Sequence, residues 1–383
     1  MSILRRTDAS VVSRWWWTID RWVLISLLLL GTMGALMALA ASPAVASRIG
    51  LDSFYFVRRE AVFLILAALI LLGFSLLSVR DVRRAATVLF VGFIILTAAT
   101  FFVGAEYNGA RRWLSVAGFA LQPSEFLKPA FIVTSAWMMS EQMKSPSFPG
   151  YKIAGAMMAV VITLLVLQPD FGQTYLITGA WGLQLFLSGL PMIWFVALGA
   201  LAASGAVTAY LTVPYFASRI DRFVTPAGGD TYQIDTAINA FQRGGLFGTG
   251  PGEGTVKMVL PDAHADYVFA VLGEEYGLIA SLALVALFAV IVIRSLALLS
   301  RERDHFVFLA SAGLVALFGL QVLTNLGVNL NLLPSKGMTL PFISYGGSSL
   351  FAMAITMGML LSLGRGAARH RSRPLLRRPG VGT

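Results

Sequence analysis

The feature that most constrains this chain is the recurrence of apolar runs about 20 residues long, parted by short charged turns, from Trp22 almost to the C-terminus. A run of that length, coiled as a helix, matches the thickness of a bilayer's hydrocarbon core. No water is available there, so backbone N–H and C=O groups must be paired within the segment, which a helix achieves. With 57% hydrophobic and 13% charged residues over 383 positions, the chain lacks the polar cover that a water-soluble surface of this size needs. The spacing therefore predicts an all-α polytopic membrane protein of about ten transmembrane helices. Cysteine is absent and the three histidines are scattered, which excludes disulfides and thiolate metal centres and argues against a histidine-rich one.

In chain order, spans are expected near 22–41, 60–78, up to Gly104, 123–139, up to Leu167, up to Gly189, 191–211, 266–293 and 305–329, with a tenth after a broken entry. Arg58 and Arg59 are assigned to an external loop. The first run lacks a convincing cleavage site and reads as a retained helix. The net charge of +10 flanks the apolar runs, so it points to membrane surfaces and not to nucleic acid. Most of the 29 Lys and Arg fall in the tails and in the turns on their side, which predicts that both termini are cytoplasmic. Three regions follow: a basic and aromatic tail (1–21), one integral domain (22–363) and a basic tail (364–383). Segment 212–264, between spans seven and eight, is expected to be a large extracytoplasmic loop, longer than a passive connector requires.

Polar residues interrupt the apolar pattern at five places. PDAHADYVFAVLGEEYG (261–277) sets Asp262, His264 and Asp266 ahead of a span and Glu274 and Glu275 inside it. Ionisable groups at that depth are costly unless they face protein or water, which makes them functional-site candidates. The plainer reading is an interfacial loop whose acids face solvent. GARRW (109–113) supplies Arg111 and Arg112, and QPSEFLK (122–128) supplies Glu125 and Lys128 three residues apart on one helical face. QPDFG (168–172) supplies Asp170, and PSKGMTLPFISYGGSS (334–349) supplies Lys336, Ser344 and Ser348 around a proline- and glycine-broken helix entry. The glycines of GGLFGTGPGEG lack the GK[ST] ending of a phosphate-binding P-loop and read as flexible loop geometry.

These five motifs, in this order within a ten-span framework, resemble the SEDS family, the polytopic proteins of bacterial shape, elongation, division and sporulation, and its division branch in particular. The resemblance spans about 22–363. It implies the SEDS fold and a peptidoglycan glycosyltransferase of the bacterial cytoplasmic membrane, placed at the division septum. Such an enzyme polymerises lipid II by joining the donor's anomeric carbon to a GlcNAc 4-hydroxyl, with inversion and release of undecaprenyl pyrophosphate. It implies that Asp266 is the essential acid, as general base or as a group that positions the hydroxyl or a cation; Ala265 stands where the family usually carries threonine. Arg111, Arg112, Lys128 and Lys336 are then candidates for the pyrophosphate, or for a supporting network with Glu125, Asp170, Glu274 and Glu275. His264, Ser344 and Ser348 are candidates for the headgroup or for holding its loops. The resemblance also implies a divalent cation, Mg or Mn, carried with the substrate and contacting Asp266. Expected partners are a class B penicillin-binding protein (an FtsI-like transpeptidase) and other divisome membrane proteins. A lipid II flippase and a non-catalytic divisome scaffold are the competing readings.

Overall fold

A computed structural model describes residues 10–107, 110–116, 118–224, 232–334 and 337–371. The helices are α1 (Val11–Thr18), α2 (Arg21–Arg48), α3 (Tyr55–Leu76), α4 (Val79–Val103), α5 (Pro123–Lys144), α6 (Gly150–Leu167) and α7 (Phe171–Leu187). They continue with α8 (Met192–Thr212), α9 (Pro214–Val224), α10 (Tyr232–Gly244), α11 (Val268–Leu299), α12 (His305–Asn329) and α13 (Gly347–Arg371). Among the described residues, eight helices are long and apolar enough to cross a membrane: α2, α3, α4, α6, α8, α11, α12 and α13. Helices α5 and α7 occupy the places of the fourth and sixth expected spans. Helix α7 is shorter, with 17 residues, and α5 carries Glu125, Lys128, Glu141 and Lys144; its enclosure by protein from Pro123 to Ala136 accommodates polar residues that a lipid-facing helix could not.

Short turns fold the long helices up and down, which sorts their ends onto two faces. On the face of the termini, Arg294 pairs with Asp20 at 2.9 Å, Tyr151 Oη donates to the Ser188 carbonyl at 3.1 Å, and Ser362 Oγ donates to Leu77. Helix α1 lies on this face, capped by Ser10. Its Trp15 indole donates to Ser75 Oγ at 2.9 Å, and Arg21 stacks over Trp16 and Trp17 at 5.2 and 5.0 Å. A cavity of about 140 Å³ between Asp20, Ser295, Glu302, Ser311 and Gly364 opens here, away from the five motifs. Those motifs gather at the other face.

Four stretches depart from the sequence expectation. Arg58 and Arg59 lie in the first turn of α3 and not in a loop, because the helix starts five residues before the apolar run. Helix α13 continues to Arg371, and Arg365 is only 4% exposed, donating to Thr18 Oγ1 at 3.1 Å and to the Ser75 carbonyl. The first arginine of the expected tail thus bonds back to α1 and α3. Between α4 and α5 the chain forms a three-stranded antiparallel sheet, β1 (Ala105–Tyr107), β2 (Ala110–Val116) and β3 (Phe119–Leu121). In the 212–264 segment α9 and α10 form, and Phe241 of α10 packs on Phe269 of α11 with ring centroids 5.4 Å apart.

The fourth departure explains the length of α11. Gly277 has φ 77° and ψ −173°, so the 32-residue helix is two helices meeting at a break. A break at membrane depth leaves backbone groups that something must satisfy. Segment 245–250 does so: Leu278 N–H donates to the Gly245 carbonyl at 2.9 Å, while Thr249 and Gly250 N–H donate to the Glu274 and Glu275 carbonyls at 2.9 and 3.1 Å. A Cβ on Gly277 would fall 2.4 Å from the Gly248 nitrogen. The glycine-rich run is therefore a close backbone-to-backbone seam rather than a flexible loop.

Candidate active site

Asp266 ends the turn that leads into α11, with its N–H donating to the Asp262 carbonyl at 3.1 Å. Three strands of contact hold this turn. The Asp266 carbonyl accepts from Asn325 Nδ2 at 3.0 Å and Asn329 Nδ2 at 2.9 Å, both on α12. Ser344 Oγ donates to the Ala265 carbonyl and accepts from Leu340 N–H at 2.7 Å. Tyr345 N–H donates to the His264 carbonyl at 2.9 Å. The half-buried Asp266 carboxylate is thus carried on backbone fixed from two sides, the condition for a side chain that must meet a reacting atom within a fraction of an ångström.

The His264 ring sits between Phe56 and Tyr345, with centroids 5.0 and 5.2 Å away. Burial lowers its pKa below 6.5, with Arg48 acting in the same direction and Asp262 against it. The imidazole is therefore neutral at neutral pH and packs as an aromatic ring. Burial also pushes the Tyr345 phenol up to about 12, with Arg59 opposing, so it stays protonated. Arg59 lies over the rings of Tyr55, Phe63 and Phe119 at 5.5 to 5.7 Å, extending the aromatic cluster to β3.

Behind this turn lies a buried polar network. Lys128 is 1% exposed; its ammonium is 2.9 Å from Glu125 Oε2 and donates to Gln321 Oε1 at 3.3 Å. Gln321 Nε2 donates to the Thr339 carbonyl at 3.1 Å and lies 3.4 Å from Ser349 Oγ. Glu125 also accepts from Gln173 Nε2. Asp170 caps α7, accepting from Gln173 N–H at 3.4 Å and from Gln122 Nε2 at 3.2 Å. Burial raises the Asp170 pKa, with the nearby Arg112 guanidinium opposing that rise. Lys128 is thus enclosed with its counter-charge.

The two neighbouring arginines diverge because strand β2 alternates its faces. Arg112 turns inward and donates to the Gln168 and Pro169 carbonyls at 2.9 and 2.6 Å, bracing the break between α6 and α7. Arg111 turns outward and pairs with Glu106 at 3.4 Å. Ser348 Oγ accepts from Gln122 N–H at 3.0 Å and donates to the Ala120 carbonyl at 3.2 Å, joining α13 to the β3–α5 junction. Glu274 accepts three backbone N–H groups, from Thr255, Val256 and Lys257 at 2.7, 2.7 and 3.0 Å. Glu275 pairs with Lys257, whose ammonium also donates to the Ala40 carbonyl at 2.9 Å. Both glutamates thereby hold the 255–257 turn against α2 and α11. Lys336 lies outside the described residues.

Lys257, Gln321, Asn325 and Asn329 do not figure among the sequence candidates, yet they tie the motifs together. The last three had a readable signal: amides four residues apart in an otherwise apolar run share one helical face. Among the described residues no three His, Asp or Glu side chains converge as a metal-binding group. Asp262, His264 and Asp266 are close in sequence but do not form a ligand set.

Fold and site together define a polytopic membrane protein whose five polar motifs are collected at the helix ends opposite its termini. Residues 20–369 match the family of FtsW, RodA and SpoVE, described as cell cycle protein. The chain belongs to this family, the SEDS proteins. It is 47% identical over 359 residues to the probable peptidoglycan glycosyltransferase FtsW of Caulobacter vibrioides (strain NA1000 / CB15N), covering 94% of this chain and 92% of that protein. It is 34% identical over 352 residues to stage V sporulation protein E of Bacillus subtilis (strain 168), covering 90% and 96% of the two chains. Among solved structures it is similar to the rod shape determining protein RodA of Thermus thermophilus, with a TM-score of 0.67, 26% identity and coverage of 91% and 98%. It is also similar to a chain from a study of how a peptidoglycan synthase complex coordinates polymerization and crosslinking, with a TM-score of 0.75, 27% identity and coverage of 91% and 98%.

Proposed function

We propose that this protein is a peptidoglycan glycosyltransferase that polymerises lipid II at the outer face of the bacterial cytoplasmic membrane, during septal wall synthesis. The observation that carries the reading is the placement of Asp266. Its carboxylate is half-buried at the end of a turn pinned from α12 and from 344–345, on the face opposite the termini. In the proposed reaction the Asp266 carboxylate takes the proton of the acceptor 4-hydroxyl as that oxygen bonds to the donor's anomeric carbon. The bond from that carbon to the diphosphate breaks, and undecaprenyl pyrophosphate leaves. A pinned backbone favours such a step because the base needs no reorganisation as attack develops.

A divalent cation belongs, in this reading, to the substrate diphosphate, with Asp266 as its contact on the protein. Arg111, on the outer side of the sheet and about half exposed, is a candidate to meet an incoming diphosphate, with Lys336 a second candidate. Lys128, Arg112, Glu125, Asp170, Glu274, Glu275, Ser344 and Ser348 serve as framework. A class B penicillin-binding protein is the proposed partner, in keeping with the complex to which the chain is similar.

The test is reconstitution of the full chain, with and without its class B partner, on lipid II and Mg or Mn. Wild-type protein is expected to form glycan strands and Asp266→Asn to form none, with folding and partner binding retained. Strands made at the wild-type rate by Asp266→Asn would sink the base assignment. Transfer of lipid II across a sealed bilayer without polymer would support the transporter reading instead.

A further inference from the structure

Helix α12 carries Gln321, Asn325 and Asn329 at successive four-residue intervals, three amides on one buried face of an apolar helix. Asn325 alone bonds to both segments that meet at Asp266, while Asn329 bonds to the turn and Gln321 to the segment at 339. Asn325 Nδ2 donates to the carbonyls of Asp266 at 3.0 Å and Met338 at 2.6 Å. Asn329 Nδ2 donates to the same Asp266 carbonyl at 2.9 Å and to Asn325 Oδ1 at 3.3 Å, while its Oδ1 accepts from Ala270 N–H at 3.2 Å. Gln321 holds Thr339. The donors decide the residue type: at 325 the side chain must give two hydrogens to two carbonyls, which an ionised carboxylate cannot do and an aliphatic group cannot replace.

The consequence lies one residue before Met338. Gly337 has φ 53°, and a Cβ built there would lie 3.4 Å from Asp266 Oδ2, so this backbone forms one wall against the carboxylate. Asn325 fixes that wall and the Asp266 backbone with one amide, and Asn329 fixes the Asp266 carbonyl a second time. Their joint effect is to set the gap between the carboxylate and the 337–338 backbone.

We infer that Asn325 and Asn329 are positioning residues for Asp266, acting through its backbone carbonyl and through Met338 and not by touching substrate. This rests on the reading of Asp266 as the base for glycan polymerisation. A packing role alone would alter the amount and thermal midpoint of folded protein while leaving turnover per folded molecule intact. A positioning role alters turnover itself, since misplacement of a reacting group by about 1 Å costs on the order of 100-fold in rate.

The experiment compares Asn325→Ala, Asn329→Ala and the double variant with the wild type in the lipid II assay, normalised to folded protein. Each single variant is expected to lower kcat about 10- to 100-fold with KM changed less than about threefold. The double variant is expected to be little worse than the weaker single one, because both amides hold one carbonyl. Asn325→Ser, which keeps a donor, is expected to recover part of the loss and carries the test where Asn325→Ala does not fold. The chain has no cysteine, so spin labels at Asp262→Cys and Leu332→Cys give a readout independent of activity. Their distance distribution should widen in Asn325→Ala. Wild-type strand formation beside unaltered kcat and unaltered label distances in the variants would overturn this inference alone. Wild-type protein that makes no strands would overturn the reading beneath it, and this inference with it.

Discussion

At the scale of single residues, burial separates groups that sequence alone treats alike. Lys128 and Arg111 are both basic residues in polar motifs, yet one is enclosed against Glu125 and Gln321 and the other lies on the outer side of a sheet. Removing one partner of a buried ion pair leaves an uncompensated charge and costs about 3–5 kcal/mol, whereas replacing both is often neutral. Lys128→Met is therefore expected to lower the thermal midpoint strongly, and Lys128→Met with Glu125→Gln to restore most of it. Unfolding followed by heating in detergent checks this, and equal midpoints for the single and double variants would count against a buried pair. The candidate site itself was partly legible at this scale. The cost of acids at the mouth of an apolar run marked Asp266 together with its neighbours, and only the family resemblance singled it out. Glu274 was marked by the same cost, but its work is to hold three backbone N–H groups of a turn far away in sequence, a partner that no local pattern names.

Among the elements, α11 shows how a helix break is made tolerable inside a membrane protein. The first half, 268–276, packs against α10, and the second half, from 278, crosses toward the terminal face. The seam at 245–250 supplies the carbonyls and N–H groups that the break exposes. Alanine at Gly277 would meet both a left-handed φ and the Gly248 and Leu246 backbone at 2.4 and 2.5 Å, so Gly277→Ala is expected to destabilise by at least about 1–3 kcal/mol. Gly92 in α4 has open space around it, and Gly92→Ala is expected to be neutral or to stabilise by up to about 1 kcal/mol. Thermal unfolding of the two variants side by side reads the contrast; similar midpoints would refute the seam. The length of α11 was readable in the sequence and its break was not, because Gly277 gains its meaning only from a backbone 27–32 residues earlier.

For the whole molecule, the up-and-down course of the helices puts the five motifs on one face and both described termini on the other. The proposed orientation, with the terminal face in the cytoplasm, rests on the charge distribution. With no native cysteine, this is measured directly: Asp262→Cys should react with a membrane-impermeant maleimide in intact cells, and Arg303→Cys only after permeabilisation. The reverse pattern would turn the orientation over and move the proposed chemistry to the wrong side of the membrane. The sequence by itself determined the membrane class, the approximate position of the long helices and the motifs in which the site is built. It could do so because hydropathy, helical period and charge asymmetry are properties of neighbouring residues. Only the tertiary structure decided which charges are enclosed, where α11 breaks, how the 105–121 and 212–264 segments fold, and how α12 grips the Asp266 turn. Each of those depends on hydrogen bonds and ion pairs between groups brought together by packing from distant parts of the chain, such as Asn329 with Asp266 and Lys257 with Ala40, and packing has no signature in local sequence.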